Sequence, residues 1–252
     1  MSKPFDPSEI GAYLIHKGIR YFSRRIFSGV ETPVTTLVRG VCERFPKESL
    51  AITRERIFTP YPLSQLCEGM IKVAAKRTTA LDGEAFQGLT KNFFGDSIEI
   101  LAPPRFEFQD PQVPSDVIPC VDIRDLLEGL KVNAIGKTRV SAVLTDVEGK
   151  ILAYSWSRTG INRTDHAELL LVQNFYHPGA EHFPDHSTLW VSLRPCAMCS
   201  AQILALMKHS NGFKIRFLED DPGPMSKNSC LFEGSDLWKS AGRPAIDIKA
   251  MG

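Results

Sequence analysis

Trp190-Val191-Ser192-Leu193-Arg194-Pro195-Cys196-Ala197-Met198-Cys199-Ser200-Ala201 is the stretch on which the reading of this chain turns. Leu189 to Leu193 is a short apolar run bounded by polar residues, which reads as a buried strand. Pro195 suits the first position of a helix running to about His209. Cys196 and Cys199 therefore fall in the opening turn of that helix. There, unpartnered backbone N–H groups and the helix dipole favour thiolates. Arg194 is a poor N-cap and leaves the helix start free to serve the sulfurs. A strand feeding a helix that opens on two thiols is an α/β unit with chemistry at its junction.

A second helix opens upstream on Asp165-His166-Ala167-Glu168 and runs to about Tyr176. Catalytic zinc sites take three protein ligands and keep a fourth position for water. His166, Cys196 and Cys199 supply such a set, so Zn2+ is the expected cofactor. Glu168 is the expected catalytic residue, a carboxylate able to take a proton from water and deliver it to a leaving amine. Residues two apart do not share a face of a regular helix, so His166 and Glu168 must meet at a helix start. Pro-Cys-x-x-Cys arises by chance in roughly one such chain in a hundred and His-x-Glu in about one in three, so the combination is specific and either half is weak. Three plainer readings compete. Asp165 and Glu168 scan as a capping box; the two cysteines scan as a redox pair; a structural zinc would need a fourth ligand, with Cys230 or His209 available.

Around these motifs the second half alternates. The pattern predicts a helix at Val121–Lys131, strands at Arg139–Thr145 and Lys150–Trp156 joined across Asp146-Val147-Glu148-Gly149, and a strand at Lys214–Leu218. A weak helix near Ser235–Ser240 and a strand at Ala245–Lys249 follow, giving the order αββαβαβαβ. His166-x-Glu168 with Pro195-Cys196-x-x-Cys199 resembles the signature of the zinc-dependent cytidine, deoxycytidylate and tRNA-adenosine deaminase superfamily. The resemblance runs from about Val121 to the end of the sequence. It implies a cytidine-deaminase-like α/β/α sandwich on a five-stranded mixed sheet whose last two strands are parallel. The layout as a whole resembles a Bdellovibrio-type bacterial deaminase subfamily with a distinct N-terminal domain, suspected of RNA editing. The implied activity is hydrolytic removal of an amino group from a nucleobase, and relatives imply a homodimer. Trp156, Ser157, Asn162 and Ala167 become candidate substrate contacts, with Trp156 or Phe183 as an aromatic wall for a splayed base. Two features depart from the tRNA-adenosine branch. Ser157 stands where that branch has a ribose-holding asparagine, leaving Asn162 as a substitute, and the sequence stops just after the fifth strand.

The proline-crowded stretch from Ala102 to Ser115 cannot continue a helix or a central strand, so a boundary is expected near 115, with domains 1–115 and 116–252. The first domain reads as mainly helical. Ser8 would cap a helix to about Phe27 that presents Lys17, Arg20, Arg24 and Arg25, a candidate phosphate-binding stripe. Thr32-Pro33 opens a helix towards Phe45; Ser49–Phe58 reads as a strand, Leu63–Arg77 as a helix and Ser97–Leu101 as a strand. Phe93-Phe94 and Phe106/Phe108 are candidates for stacking on bases. His182 and His186, in the loop before the third strand, are candidates for the pocket mouth. The 252 residues, with 43% hydrophobic residues, suffice for one or two ordinary cores. The formal net charge of +1 selects no partner, although a local basic face does not need a basic total. Neither a signal peptide nor a membrane span is expected, and four singly scattered cysteines plus the Cys196-x-x-Cys199 pair fit a cytoplasmic chain. Together these lead to a deaminase of a base within RNA or single-stranded DNA, with a free nucleobase, nucleoside or nucleotide as the alternative substrate. A non-catalytic zinc or RNA-binding protein is the further alternative.

Overall fold

A computed structural model describes residues 6–28, 30–91, 96–104, 122–176, 182–207, 210–221, 223, 231 and 247–251. The chain divides into two compact units, Met1–Pro104 and Arg105–Gly252. The boundary expected near 115, the helix near Ser235–Ser240 and the pairs Phe93-Phe94 and Phe106/Phe108 lie outside the described residues. So do Cys120, Cys230, His177 and His209.

The first unit combines strands with its helices. It carries a five-stranded mixed sheet in the order β4-β3-β1-β2-β5. Its strands are β1 (Ile10–His16), β2 (Ile19–Arg24), β3 (Arg56–Thr59), β4 (Arg77–Ala80) and β5 (Ser97–Glu99), and its helices are α1 (Pro33–Arg44), α2 (Ser49–Ile52), α3 (Gln65–Ala74) and α4 (Gly83–Thr90). The helix expected over residues 8–27 is a β-hairpin. His16 pairs with Ile19 across Lys17-Gly18, whose φ angles of 51° and 81° make the two-residue turn that twists with its strands. Ile10, Leu14 and Ile15 mimic a helical stripe, but Ile10 through Leu14 are all buried because β1 is the central strand, covered on both faces. Ala12, Leu14, Tyr21 and Ser23 form one face. Ser23 donates to the Pro33 carbonyl at 2.6 Å and the Tyr21 ring meets Phe45 edge-on, which puts α1 on that side. On the other, Tyr13 and Phe22 pack with Ile10 and with Phe86 of α4. Thr32 caps α1 in a reciprocal capping box with Thr35. The strand expected over Ser49–Phe58 resolves into α2 and β3.

The second unit is an α/β sandwich. Its strands, in the order β10-β9-β8-β6-β7, are β6 (Ser141–Thr145), β7 (Ile151–Trp156), β8 (Thr188–Leu193), β9 (Lys214–Glu219) and β10 (Asp247–Ala250). β6 runs antiparallel to β7 and β8, while β8, β9 and β10 are parallel, so the last two strands pair as expected. One face is covered by α5 (Asp122–Lys131), whose Ile123, Leu127 and Leu130 pack on Val143 with Tyr154, Trp156 and Trp190 around them. The other carries α6 (Ala167–Phe175), tied to β7 by the Ser155 hydroxyl donating to the Ala167 carbonyl at 2.6 Å. α7 (Ala197–Met207) packs against α6 and is buried at every residue but Ala205. A helix apolar all round its circumference belongs between layers, not at a surface. Among the described residues, no helix is long and apolar enough to cross a membrane.

Candidate metal and acid–base centre

Strand direction decides where the chemistry collects. Because β6 is antiparallel to its neighbours, its start lies beside the ends of β7 and β8: Ser141 faces Trp156 on one side and its N–H donates to Ser192 Oγ at 2.9 Å on the other. The loops entering β6, leaving β7 towards α6 and leaving β8 towards α7 therefore share one end of the sheet. That end is where ligand sites of open α/β sheets lie.

His166 holds the N-cap position of α6 with extended backbone (φ −75°, ψ 150°) and makes no side-chain cap. Its imidazole is turned instead to the sulfurs, with Nδ1 3.5 Å from Cys196 Sγ and 3.5 Å from Cys199 Sγ. The two sulfurs are 3.6 Å apart. The capping box read on Asp165 and Glu168 is not formed, since α6 starts at Ala167, with His166 and not Asp165 in the cap position. Pro195 stands two residues ahead of the first helical position it is expected to hold, since α7 starts at Ala197. Cys196 takes the cap position of α7, its carbonyl accepting the Ser200 N–H at 2.8 Å.

Glu168, on the first turn of α6, is 3% exposed and hydrogen-bonds Cys199. Burial drives its carboxyl up to about 7, and the negative Cys196 sulfur adds to the rise. On His166, burial pulls the imidazole down, but the charge and hydrogen bond of Cys196 outweigh it and carry the group up to about 9. Hydrogen bonding from Cys199 and the neighbouring His166 hold the Cys196 thiol low, while burial pushes Cys199 up. An imidazole, two thiols and a carboxylate crowded out of water are a donor set arranged for a cation. The fit is metrical as well. Ligands at zinc's usual bond lengths in a tetrahedron stand about 3.8 Å apart for two sulfurs and about 3.6 Å for sulfur and nitrogen, close to the spacings found. Among the described residues, His166, Cys196 and Cys199 are the group of such side chains whose ligand atoms lie within 4.8 Å of one another.

The other expected site residues go different ways. Ala167 is buried at the first position of α6, and its amide is one that a helix leaves without an intrahelical partner. Ser157 is 1% exposed; its hydroxyl accepts the Val140 N–H at 3.0 Å and donates to the Thr138 carbonyl at 3.3 Å. Asn162 is buried too, its side-chain oxygen taking the Thr164 N–H and hydroxyl at 3.0 and 2.7 Å. Trp156 stacks near Tyr154 on the α5 face, opposite the face that Ser155 presents to α6. Phe183 is wholly buried, stacked at 4.7 Å on Phe213. His182 and His186 precede β8, at the end of the sheet away from Cys196, so they do not line its mouth. The basic stripe is not a helix face: Lys17 is in the hairpin turn and Arg20 and Arg24 are on β2. Arg24 is held by Glu9 and by Glu99 (2.6 Å), and Arg25 bonds Tyr61 with its guanidinium 5.6 Å over that ring.

The pair the sequence reading passed over is Arg158 and Asp165, which close the loop into His166. The Arg158 N–H donates to the Asp165 carbonyl at 2.8 Å, and the two charges stand 3.8 Å apart, largely buried. An arginine and an aspartate seven residues apart across turn-forming Gly160 and Asn162 are the sequence trace of such a closed loop.

The second unit carries a domain of the deaminase superfamily. Its particular match is to the family described as Bd3614-like deaminase, over residues 136–236. A tRNA-specific adenosine deaminase of Haemophilus influenzae is 35% identical over 80 residues, 29% of this chain, and the match spans only 44% of that enzyme. Among solved structures, a tRNA:A34 deaminase is similar at 26% identity and a TM-score of 0.33, covering 44% of this chain and 76% of its own. The dCMP deaminase of cyanophage S-TIM5 is similar at 18% identity and a TM-score of 0.36, over 54% of this chain and 100% of its own.

Proposed function

We propose that this protein is a zinc-dependent hydrolytic deaminase that converts an amino-substituted nucleobase to its keto form, acting on a base within RNA or single-stranded DNA. The observation that carries the chemistry is the buried cluster of His166 Nδ1, Cys196 Sγ and Cys199 Sγ with Glu168 against it. These three side chains would hold zinc, which when bound supplies a Lewis acid that makes water nucleophilic at neutral pH. Glu168 takes a proton from the attacking water and passes it to the ring nitrogen. It then moves the proton of the hydroxyl added to the ring carbon on to the exocyclic amine, so that the C–N bond breaks, ammonia leaves and a carbonyl remains. The Ala167 amide would hold the base at the start of α6. Support for a polymeric substrate comes from the relative in Haemophilus influenzae, whose name assigns it to tRNA; this reading implies the cytoplasm.

The test is an ammonia-release screen over free bases, nucleosides, nucleotides and single-stranded and structured RNA and DNA, with Glu168→Ala as the blank. Release from oligonucleotides, absent in Glu168→Ala although zinc stays bound, is the expected result. Turnover of free cytidine, deoxycytidylate or guanine with none on oligonucleotides would transfer the assignment to small substrates. A Glu168→Ala rate equal to wild type would remove Glu168 from the mechanism.

A further inference from the structure

We infer that the loop entering β6, through Lys137 and Arg139, binds the backbone phosphates of a single-stranded nucleic acid whose target base is at the His166–Cys196–Cys199 centre. This rests on the deaminase reading above and adds to it the surface that recognises the polymer.

The net charge of +1 conceals a separation at the catalytic end of the sheet. On the β9 flank, Glu219, Asp220 and Asp221 are acidic, and the first two face cations: Lys131 reaches Glu219 at 3.5 Å and Arg194 reaches Asp220 at 3.3 Å. On the β6–β7 flank the balance reverses. Residues 132–140 contain Lys137 and Arg139 and no carboxylate, and the next loop adds Arg158 and Arg163 against the single Asp165. Lys137 and Arg139 are exposed and form no ion pair among the described residues, whereas Lys131, Arg158 and Arg194 are each committed to a carboxylate. Two uncompensated cations on the rim of a site that takes a base form the kind of focused positive field that captures phosphates.

The loop carrying them is fixed to the loop that delivers His166. The Ile135 N–H donates to the Ser157 carbonyl and the Gly160 N–H to the Ile135 carbonyl, both at 2.9 Å, and the Ser157 hydroxyl joins Val140 to Thr138. Gly136 is needed for this contact. Its φ is 140°, and a Cβ there would stand 2.2 Å from Thr159 Oγ1. Ile135 and Ile161 remain 47% and 44% exposed beside the cations. A rim of two aliphatic side chains and two cations with no ion pair among the described residues suits a strand that lays a flanking base on the apolar part and its phosphates on the charges.

The experiment measures fluorescence anisotropy of a single-stranded RNA of about 10 nucleotides, bound to zinc-loaded protein carrying Glu168→Ala so that nothing turns over. K137E/R139E is compared with K47E/K76E, an exposed pair in the first unit whose reversal changes total charge equally. K137A/R139A is the milder variant, and zinc content and melting temperature check folding. Expected are binding about tenfold weaker for K137E/R139E and a salt dependence shallower by about 1.4 in log–log slope, the value for two lost contacts to a single strand. K47E/K76E should bind as the parent does. Equal loss in both pairs, or in neither, overturns the inference, as does an unmodified protein that does not bind the RNA. A loss confined to a 5′-mononucleotide competitor overturns it in favour of a small phosphorylated substrate. Ammonia release from any substrate in the screen above would stand under each of these outcomes, so failure of this surface is distinguishable from failure of the chemistry.

Discussion

Ser157→Ala separates two roles for one hydroxyl. The resemblance to the tRNA-adenosine branch makes position 157 a ribose contact, whereas the fold uses the Ser157 side chain to join the loop entering β6 to the end of β7. The hydroxyl is 1% exposed and makes a 3.0 Å bond from the Val140 N–H and a 3.3 Å bond to the Thr138 carbonyl. Alanine removes one oxygen and opens almost no cavity, so the cost is that of leaving a buried amide N–H unpaired, about 1–3 kcal/mol. For a domain of this size that is a fall in melting temperature of roughly 3–9 °C. Ser97→Ala is the control. Its buried hydroxyl has no hydrogen-bond partner among the described residues, so the same chemical change should leave stability within about 0.5 kcal/mol. Calorimetry on both variants, together with KM on whichever substrate releases ammonia, decides the matter. Ser157→Ala with unchanged stability and a raised KM would refute the staple and restore the substrate contact. Ser157→Asn should destabilise at least as much, because the larger side chain must enter a position whose two bonds are already made.

Cys199→Ser should lower zinc content measured by metal analysis and bring the melting temperature down with it, since binding to the folded state is stabilising; full zinc occupancy in the variant would remove Cys199 from the ligand set. Gly40→Ala should destabilise the first unit by about 1–3 kcal/mol although alanine is the better helix former, because its Cβ would stand 2.2 Å from the Leu101 carbonyl oxygen. Gly88→Ala on α4 meets nothing within 4 Å and should gain up to about 1 kcal/mol, so denaturant melts of the pair should shift in opposite directions. The Arg216 guanidinium, 2.6 Å from Asp247, holds that carboxyl below its ordinary range and ties β10 to β9. A depressed carboxylate contributes stability that is present above its unfolded pKa of about 3.9 and is lost as pH falls through the folded value. The stability gap between wild type and Asp247→Asn should therefore be constant from neutral pH down to about 4 and close below it; a gap unchanged at pH 2 would argue against the pair.

What was legible followed from how far each signal reaches along the chain. Thr32-Pro33 predicts a helix start because a cap is decided within four residues, and α1 begins there. The hairpin at Lys17-Gly18 was misread for the opposite reason. Apolar residues at 10, 14 and 15 satisfy a helical period locally, and only the pairing of β1 with both β2 and β3 shows that residues 10–14 are buried on two faces. The basic residues followed that error, since Arg20 and Arg24 share a helix stripe only if there is a helix. Trp156 was misplaced by parity: a strand sends successive side chains to opposite faces, and which face meets α6 is fixed by Ser155 and Ala167, a contact between elements.

The centre itself was readable because each of its parts is a helix start. His166, Glu168, Cys196 and Cys199 are defined by local spacing, and the fold has only to bring two helix N-termini to one end of one sheet. An antiparallel β6 between β7 and β8 does this, since it makes the ends of its two neighbours adjacent. The same arrangement places the start of β6 at that end, so the loop bearing Lys137 and Arg139 is brought to the site by topology and not by any motif of its own. Sequence inspection weighs such a pair against all 30 basic and 29 acidic residues and finds nothing. Position changes the balance, because Coulombic fields at a site depend on the charges within about a Debye length of it. The metal and acid–base cluster is thus written in short motifs, while the surface proposed for a polymer is written in which loops the sheet order makes neighbours. Reversing charges at 137 and 139 and at 47 and 76 alters the total equally, and only the first pair should change RNA binding.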